Sequence, residues 1–287
     1  MGTIFVILAG SLWGAMGIFV RGLASCGLSS IEICFVRMLV ATLLMTGYFF
    51  VFNKKALKVK LRDLWCFVGT GVFSLTFFGY CYFTTIQMTS MSVAAVLLYT
   101  SPVFVLILSA ILFKEKITKK KIACIVIAIM GCALVSGLIG SASGVNLPLK
   151  GILFGLGSGL GYGLYSIFGR FAIKRKYGAL TITYYSFLFS TIALLFLINP
   201  SKIINKLSTG RVDINIIYVI GTAIVVTILP YIFYTLGLTK IENSKAAVLA
   251  CIEPIMATVF GFIVFHEVLS VGEIVGVALV IIAIILL

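Results

Sequence analysis

The sequence predicts an all-α integral membrane protein with ten transmembrane helices, arranged as two inverted five-helix repeats. Composition is the first indication: of 287 residues, 62% are hydrophobic and only 10% are charged, against about 25% charged in ordinary soluble domains. A water-soluble fold has no way to bury this much apolar surface. The second indication is a series of ten apolar runs, each near the ~20 residues that a helix needs to cross the hydrocarbon core. The third is an internal duplication.

The clearest part of the duplication is a stretch that occurs twice without gaps, 152 residues apart. Residues 92–102 run on to Glu115, and residues 244–254 run on to Glu267. Both copies contain Ala-Ala-Val-Leu, a proline near the middle of the apolar run, and a phenylalanine and a glutamate at its end. Each copy therefore predicts a transmembrane helix that is broken by proline.

Hydropathy divides the chain into ten spans joined by short connections. The longest connection, residues 199–215, is polar and carries Pro200 and Gly210, which is typical of a surface loop. The first five spans repeat as the last five, so the predicted domains are residues 1–139 and 140–287. Because five is odd, the second domain must be inverted, a plan that recurs in secondary transporters. The spans are residues 3–21, 33–52, 64–86, 91–113, 122–139, 151–171, 180–198, 216–238, 244–265 and 271–287.

The net charge of +14 does not indicate a nucleic-acid partner, because the basic residues lie in short loops between apolar runs. Lysine and arginine are enriched in cytoplasmic loops. Sixteen of them fall on the side of both termini, within residues 54–62, 114–121, 170–176 and 240–245, while the other side holds Arg21, Lys150, Lys202, Lys206 and Arg211. The sequence therefore predicts a multi-pass protein of the cell (plasma) membrane with both termini in the cytoplasm.

Other classes of protein find little support in the sequence. The seven cysteines lack C-x-x-C spacing and lie mostly in apolar runs, which favours buried thiols. His266 beside Glu267 is poor evidence for a metal site, and no acid–base or nucleophile set converges elsewhere. The N-terminus lacks a basic segment and a cleavage site, so its apolar run is expected to remain as the first span. We expect no enzyme activity, no cofactor and no metal.

Several residues resemble the pattern of a known family, the EamA-type branch of the drug/metabolite transporter superfamily. The features are a Trp-Gly pair in the first span, an arginine early in the second, a proline-broken helix that ends in glutamate in each half, and a Glu-Pro pair in the ninth: Trp13-Gly14, Arg37, Glu115, Glu267 and Glu253-Pro254. The resemblance covers the whole chain and implies a transporter. It leaves the substrate open, since relatives move amino acids, other metabolites, amines and sugar-linked compounds.

Glu253 is the strongest candidate for a substrate or proton site. It lies about nine residues into the ninth span, near the bilayer centre, where an ionised carboxylate costs at least about 2 kcal/mol. It is expected to be protonated, paired or facing a wet cavity. The competing reading is a protonated acid that hydrogen-bonds a neighbouring helix. The first half has Ser101 at the matching position, so any role of this acid is not symmetric.

Three further groups of residues have both a functional and a structural reading. Arg37 either holds a substrate carboxylate, extends to the interface or binds helix-end carbonyls. Pro102 and Pro254 act either as hinges or as fixed kinks. Aromatic residues at matched depths are expected to wall a substrate cavity between the halves, although any one of them is more often a packing residue. They are Trp13, Tyr82, Tyr99, Tyr162 and Tyr234, with Tyr80, Tyr165 and Tyr231 as further members.

Glycines at every fourth position predict faces where another helix approaches closely. The sixth span carries the longest such face, and the first and tenth carry shorter ones. For the tenth span the partner is either within the chain or in another protomer. The residues are Gly151, Gly155, Gly159 and Gly163 in the sixth span, Gly10 and Gly14 in the first, and Gly272 and Gly276 in the tenth.

Together these features predict a secondary transporter that moves a small amino-acid-like or amine-like metabolite by alternating access. One buried acid, one arginine and many aromatic rings suit a zwitterion or an amphipathic amine. No ATP-binding motif occurs, so the energy is expected to come from the substrate gradient, protons or another ion. The alternative is a flippase for a lipid-linked intermediate, because related small proteins share this helix plan. The expected partners are a small-molecule substrate and the lipid bilayer, with the protein a monomer or homodimer.

Overall fold

The computed structural model describes residues 1–137, 148–208 and 211–287, and the regular structure in these residues is helical. Within this part of the chain, seven helices are long and apolar enough to cross a membrane, or eight if the bent pair Ala179–Leu195 and Pro200–Leu207 is one span. The protein is therefore an all-α membrane protein. The helices are α1 (Gly2–Ser25), α2 (Ser30–Phe52), α3 (Leu61–Met88), α4 (Met91–Phe113), α5 (Lys119–Val135), α6 (Leu149–Lys174), α7 (Ala179–Leu195), α8 (Pro200–Leu207), α9 (Val212–Leu238), α10 (Asn243–Phe265) and α11 (Val271–Leu286).

The loop predicted over residues 199–215 contains a helix, α8, and that prediction was wrong. α8 begins with Asn199, whose side chain accepts a hydrogen bond from the Ser201 N–H at 3.2 Å, and Pro200 occupies the first helical position. Asparagine at the N-cap followed by proline is a helix-start signal. α8 turns by 103° from α7. The predicted end of the fifth span at residue 139, and the domain boundary beside it, lie outside the described residues.

The two halves of the chain pack through reciprocal helix pairs. α1 packs on α9 and α10, and α6 packs in the same way on α3 and α4. α2 also packs on α7, and α5 on α11, which pairs helices at matching positions of the two halves. The contacts that α1 makes with the second half therefore correspond to those that α6 makes with the first half.

Glycines permit the closest of these approaches. A Cβ on Gly159 would lie 2.8 Å from the Leu97 carbonyl oxygen of α4, so this face of α6 packs as predicted. A Cβ on Gly276 of α11 would lie 2.6 Å from the Gly131 carbonyl oxygen of α5. The partner of the Gly276 face is therefore within the same chain.

Hydroxyl pairs tie α7 to the other half of the protein. Ser186 donates to Thr70 at 2.6 Å, and the hydroxyls of Ser190 and Thr76 lie 3.0 Å apart. Both pairs are buried, and a further pair joins Thr191 to α2 at 3.3 Å. Because hydrocarbon offers no competing partner, such pairs hold helices together, each contributing about 0.6 kcal/mol on average. They fix the scaffold around the centre of the bundle.

Five of the described helices depart from regular α-helical geometry near their middle. α1 is broken at Ala15, between Gly14 and Met16. α4 stops at Leu98 and resumes at Ser101, and α10 stops at Leu249 and resumes at Ile252, in each case just before the proline. α3 and α9 instead contain π-helical turns, over Gly69–Thr76 and Ile224–Ile228. Such departures free backbone groups and occur often at functional sites.

Gly14→Ala is expected to destabilise the protein, because its Cβ would lie 2.8 Å from the Ala257 nitrogen and 2.9 Å from the Glu253 carbonyl oxygen. Backbone atoms cannot yield as a flexible side chain does, so α1 must move away from α10 at a cost of roughly 1–3 kcal/mol. Gly17→Ala on the same helix is the matched control, since a Cβ there meets nothing within 4 Å. Thermal unfolding of the purified proteins measures both. Equal melting temperatures would contradict the close packing of α1 on α10.

Candidate functional site

Trp13 forms the centre of an aromatic cluster where the two halves meet. Its indole lies 6.1 Å from the ring of Tyr162, 5.1 Å from Tyr231 and 5.4 Å from Tyr234, measured between ring centroids. α1, α6 and α9 supply these rings, which meet edge-on or tilted, the favourable geometries for aromatic pairs. Trp13 itself is 5% exposed. The cluster thus joins the first helix of each half through their side chains.

The aromatic cluster encloses a cavity of about 10 Å³, roughly the space that one water molecule needs. Two of the tyrosine hydroxyls in its wall are bonded across to a neighbouring helix. The hydroxyl of Tyr234 lies 2.8 Å from that of Ser166, and the Tyr165 hydroxyl lies 2.9 Å from that of Thr235. In this conformation the centre of the bundle is closed. The cavity is lined by Trp13, Ser74, Leu75, Phe78, Tyr162, Tyr165, Tyr231 and Tyr234.

Glu253 projects from α10 immediately after the helix break. The Tyr162 hydroxyl donates to its Oε2 at 3.0 Å, so the acid is joined to the aromatic cluster. The break positions it, because the Glu253 N–H bonds the Ala250 carbonyl at 3.0 Å in a tighter turn than an α-helix makes. Glu253 is half-buried, and the next residue, Pro254, lines a second cavity. The Tyr162–Glu253 pair therefore stands between the closed centre and that cavity.

The second cavity has a volume of about 360 Å³ and is open at one end of the bundle, the Glu267 end. This volume is within the range of small-molecule sites, about 300–1,000 Å³. Tyr82, Tyr99 and Pro254 line its walls together with residues from the first half and the second. It therefore lies between the halves. Other lining residues are Gly14, Gly17, Arg21, Met91, Ser92, Ala95, Ala257, Thr258, Phe265, Glu267 and Glu273.

An ion pair stands at the mouth of the open cavity. Arg21 Nη2 lies 2.8 Å from Glu267 Oε1, and the guanidinium carbon lies 4.1 Å from the centroid of the Phe265 ring. The two charged side chains are 56% and 51% exposed. An ion pair with this exposure contributes at most about 1 kcal/mol, so it is easily exchanged for other contacts.

The opposite end of the bundle, the Glu115 end, is closed by a carboxylate that caps a helix. Glu115 accepts hydrogen bonds from the N–H groups of Asn243 and Ser244, at 2.9 and 3.3 Å, and from the Ser244 hydroxyl at 2.6 Å. Arg170 Nε donates to the Asn243 side-chain oxygen at 2.8 Å. Glu115 therefore caps the first turn of α10. α10 runs from Asn243 to Phe265, so Glu115 and Glu267 lie at opposite ends.

Arg37 is buried in α2, with 4% of its surface exposed. Its Nη1 contacts the Met16 sulfur at 3.3 Å, and among the described residues its Nε has no hydrogen-bond partner. Of the three alternatives for Arg37, extension to the interface was wrong, because the surrounding helices cover the side chain. A buried guanidinium without an oxygen acceptor is costly. The arrangement leaves Arg37 with unused capacity to bind an anionic group.

The structure brings together most of the residues that the sequence singled out. Trp13, Tyr162, Tyr234 and Glu253 meet at the centre, and Tyr82 and Tyr99 line the open cavity. Pro102 and Pro254 are buried directly after the helix breaks.

Tyr80 was wrongly placed in the cavity wall. It is 48% exposed on the outside of the bundle, against Phe154 with ring centroids 6.2 Å apart. Phe78 was missed: its ring lies 5.6 Å from Tyr162 and 5.8 Å from Tyr82 and so links the two cavities. Phe78 is four residues before Tyr82, one helical turn away, and that spacing was available as a signal.

The described residues contain no group of three histidine, cysteine, aspartate or glutamate side chains that would hold a metal ion. The seven cysteines are free, five of them buried and Cys26 and Cys34 half-buried. What the site offers chemically is one carboxylate, one guanidinium, tyrosine hydroxyls and aromatic faces. Groups of these kinds are suited to binding a solute.

Comparisons with known proteins bear on the same two halves. The model of the EamA-like transporter family matches residues 1–137 and again residues 149–287. An uncharacterized transporter from Archaeoglobus fulgidus is 27% identical over 279 residues, covering 97% of this chain and 93% of that protein. The uncharacterized transporter YxxF of Bacillus subtilis is 26% identical over 258 residues, covering 90% of this chain and 79% of YxxF.

A crystal structure of another protein has the same fold. It superposes with a TM-score of 0.80 and covers 99% of this chain and 95% of its own, at 16% sequence identity. At that identity the likeness concerns the fold alone.

Proposed function

Because the chain belongs to the EamA-like transporter family, we propose that it is a secondary transporter that moves a small amino-acid-like or amine-like solute across the cytoplasmic membrane by alternating access. The observation that carries this proposal is the Tyr162–Glu253 pair, at 3.0 Å. Both residues belong to the second half, and the pair lies where that half packs on Trp13 of the first, between a closed aromatic centre and a cavity that is open at one end. A solute bound there lies at the point about which the halves must move.

The proposed architecture is ten membrane-crossing helices in two inverted halves, residues 1–139 and 140–287. α5, α7 and α11 have 17, 17 and 16 residues, which at 1.5 Å per residue gives about 25 Å, close to the hydrocarbon thickness. Inversion is supported by the placing of matched residues. Glu115 contacts the first residues of α10, whereas Glu267 follows the last residue of that helix at the far end of the bundle.

We place the Glu115 end in the cytoplasm. Both termini lie at this end, since a Cβ on Gly2 would meet Lys240 and Leu287 lines a depression together with Glu115. A large cleft at the same end is lined by six basic residues, and positive charge is enriched on the cytoplasmic side. The open cavity then faces outward. The basic residues are Lys55, Lys58, Lys60, Arg62, Arg175 and Lys176.

The proposed solute carries a positive and a negative group beside an apolar body. Glu253 is a carboxylate within reach of a cavity, and Arg37 is a buried guanidinium whose Nε lacks an acceptor among the described residues. The aromatic faces between them suit apolar or cationic groups. A lipid-linked intermediate is less well supported, because the 360 Å³ cavity suits a small solute.

Glu253→Gln is expected to stay folded yet transport poorly and lose any pH dependence of transport. The substitution keeps the volume and a hydrogen-bond acceptor for Tyr162 but removes the charge and the titration. Uptake into proteoliposomes over a range of pH measures the effect. Asp213→Asn is the control, because it removes a carboxylate that is 67% exposed at the start of α9 and lines neither cavity. Wild-type uptake with unchanged pH dependence in Glu253→Gln would remove Glu253 from the site.

The class of solute is tested by measuring thermal stability in the presence of three matched compounds. They are an aromatic amino acid, the corresponding amine that lacks the carboxylate, and the corresponding acid that lacks the amino group. The amino acid should raise the melting temperature most, since at 100 times its Kd a ligand stabilises by about 2.7 kcal/mol. Arg37→Gln should abolish the difference between amino acid and amine, and Glu253→Gln the difference between amino acid and acid. If the amine and the amino acid stabilise the wild type equally, Arg37 does not hold a carboxylate.

A further inference from the structure

The two ends of the bundle carry matching sets of residues in two different arrangements. The 152-residue register pairs Glu115 with Glu267, and it pairs Asn243-Ser244 with Met91-Ser92. The other member of each set is an arginine near the end of the first helix of a half, Arg170 in α6 or Arg21 in α1. We call each set a latch.

The backbone around the two glutamates has the same geometry. The preceding residues, Lys114 and His266, have φ of 58° and 55° with ψ of 32° in both. The Glu115 N–H bonds the Ser109 carbonyl at 3.2 Å, and the Glu267 N–H bonds the matching Gly261 carbonyl at 3.3 Å. The glutamates therefore leave equivalent backbones, and the difference between the latches lies in what their carboxylates bind.

At the Glu115 end the latch is engaged, because Glu115 holds the first N–H groups of α10. At the Glu267 end it is not. Glu267 pairs with Arg21, and Met91 and Ser92, the first residues of α4, line the same open cavity as Glu267. The first N–H groups of a helix have no acceptor within the helix. Ser90 caps the Val93 N–H at 3.2 Å, which leaves the N–H groups of Met91 and Ser92 available, at the wall of the open cavity, for another acceptor.

We propose that Glu115 and Glu267 are alternating latches, which rests on the alternating access of the proposed function. When the Glu267 end closes, the Glu267 carboxylate leaves Arg21 and accepts hydrogen bonds from the N–H groups of Met91 and Ser92 and from the Ser92 hydroxyl. Glu115 then releases α10, and the Glu115 end opens. The exchange keeps the number of capped helix ends constant, so the two states stay close in free energy and a solute can shift their populations.

Two differences between the latches explain which one is engaged here. Asn243 donates from its side chain to the Ser109 hydroxyl at 3.2 Å and accepts from Arg170 at 2.8 Å. At the other end, Met91 stands in place of Asn243 and Gly261 in place of Ser109. Methionine has no amide group and glycine has no hydroxyl group, so neither of these bonds can form there. The Glu115 latch therefore has extra hydrogen bonds, and the protein without solute favours the conformation that is open at the Glu267 end.

Two matched cysteine reporters follow the two ends. Ala95 lines the open cavity, and Ala247, 152 residues later, is 5% exposed behind Glu115. The rate at which a polar maleimide labels Ala95→Cys reports opening of the Glu267 end, and the rate at Ala247→Cys reports opening of the Glu115 end. Mass spectrometry of the labelled peptides counts the native cysteines separately. Purified protein in detergent suffices, so the result does not depend on membrane orientation or on the solute.

Met91→Pro is the decisive variant, because proline removes the N–H that Glu267 is proposed to bind. The fold should tolerate it: Met91 is the first helical residue and 68% exposed, and Ser90 before it is extended with φ −152° and ψ 165°. Labelling at Ala247→Cys should fall about tenfold, the population change from one charge-assisted hydrogen bond of ordinary strength. Labelling at Ala95→Cys should be at least as fast as before. Met91→Ala, which keeps the N–H, is the matched control.

Glu115→Ala should have the opposite effect, with labelling about tenfold faster at Ala247→Cys and slower at Ala95→Cys. If Glu267 serves only its ion pair with Arg21, Met91→Pro and Met91→Ala will label alike at both reporters, and the proposal is overturned. That result leaves the proposed solute untouched, because ligand-dependent stabilisation is measured separately. Conversely, the latch stands if the reporters respond as expected while no amino acid stabilises the protein.

Discussion

Within hydrocarbon, every backbone N–H and C=O must find a partner inside the protein, since no water is present to supply one. This constraint makes the chain helical, and it also decides where the chain is allowed to depart from the helix. The breaks in α4 and α10 and the π-helical turns in α3 and α9 fall in the helices that pack on α6 and α1 of the opposite half. These irregular segments of the described helices therefore lie where the two halves contact each other, and the aromatic cluster, Glu253 and both cavities lie there too.

Duplication supplies the scaffold, and in the proposed mechanism the residues that differ between the copies supply its function. Reciprocal helix pairs give the bundle two equivalent ends, which is what a protein with two opposite openings needs. Glu253 has Ser101 as its counterpart, so one half alone brings the carboxylate. Asn243 has Met91 as its counterpart, so one end closes with more hydrogen bonds than the other. In the mechanism proposed above, symmetry makes two states possible, and its local violations select the solute and the resting state.

The fold was accessible from the sequence because hydropathy and the repeat are properties of whole segments. The meeting of Trp13, Tyr162, Tyr234 and Glu253 was likewise accessible, since residues at matched depths in two related halves converge near the centre. Depth does not reveal which face of a helix looks inward, and Tyr80 was misplaced for that reason. The burial of Arg37 depends on how neighbouring helices cover it, which no local pattern encodes. The sequence also does not reveal that Glu115 caps a helix while the matching Glu267 pairs with Arg21. The two glutamates occupy equivalent positions in the repeats, and their partners depend on which end of the bundle is closed.

The most direct test is to measure distances across the two ends by pulsed electron paramagnetic resonance between spin labels. These distances show whether one end closes when the other opens. Positions 91 and 268, which are 68% and 92% exposed, flank the Glu267 end, and positions 116 and 240 flank the Glu115 end. Without solute we expect a long distance in the first pair and a short one in the second. A transported solute should shorten the first and lengthen the second in the same molecules. Distances that stay fixed, or that change in the same direction at both ends, would contradict alternating access between the two halves.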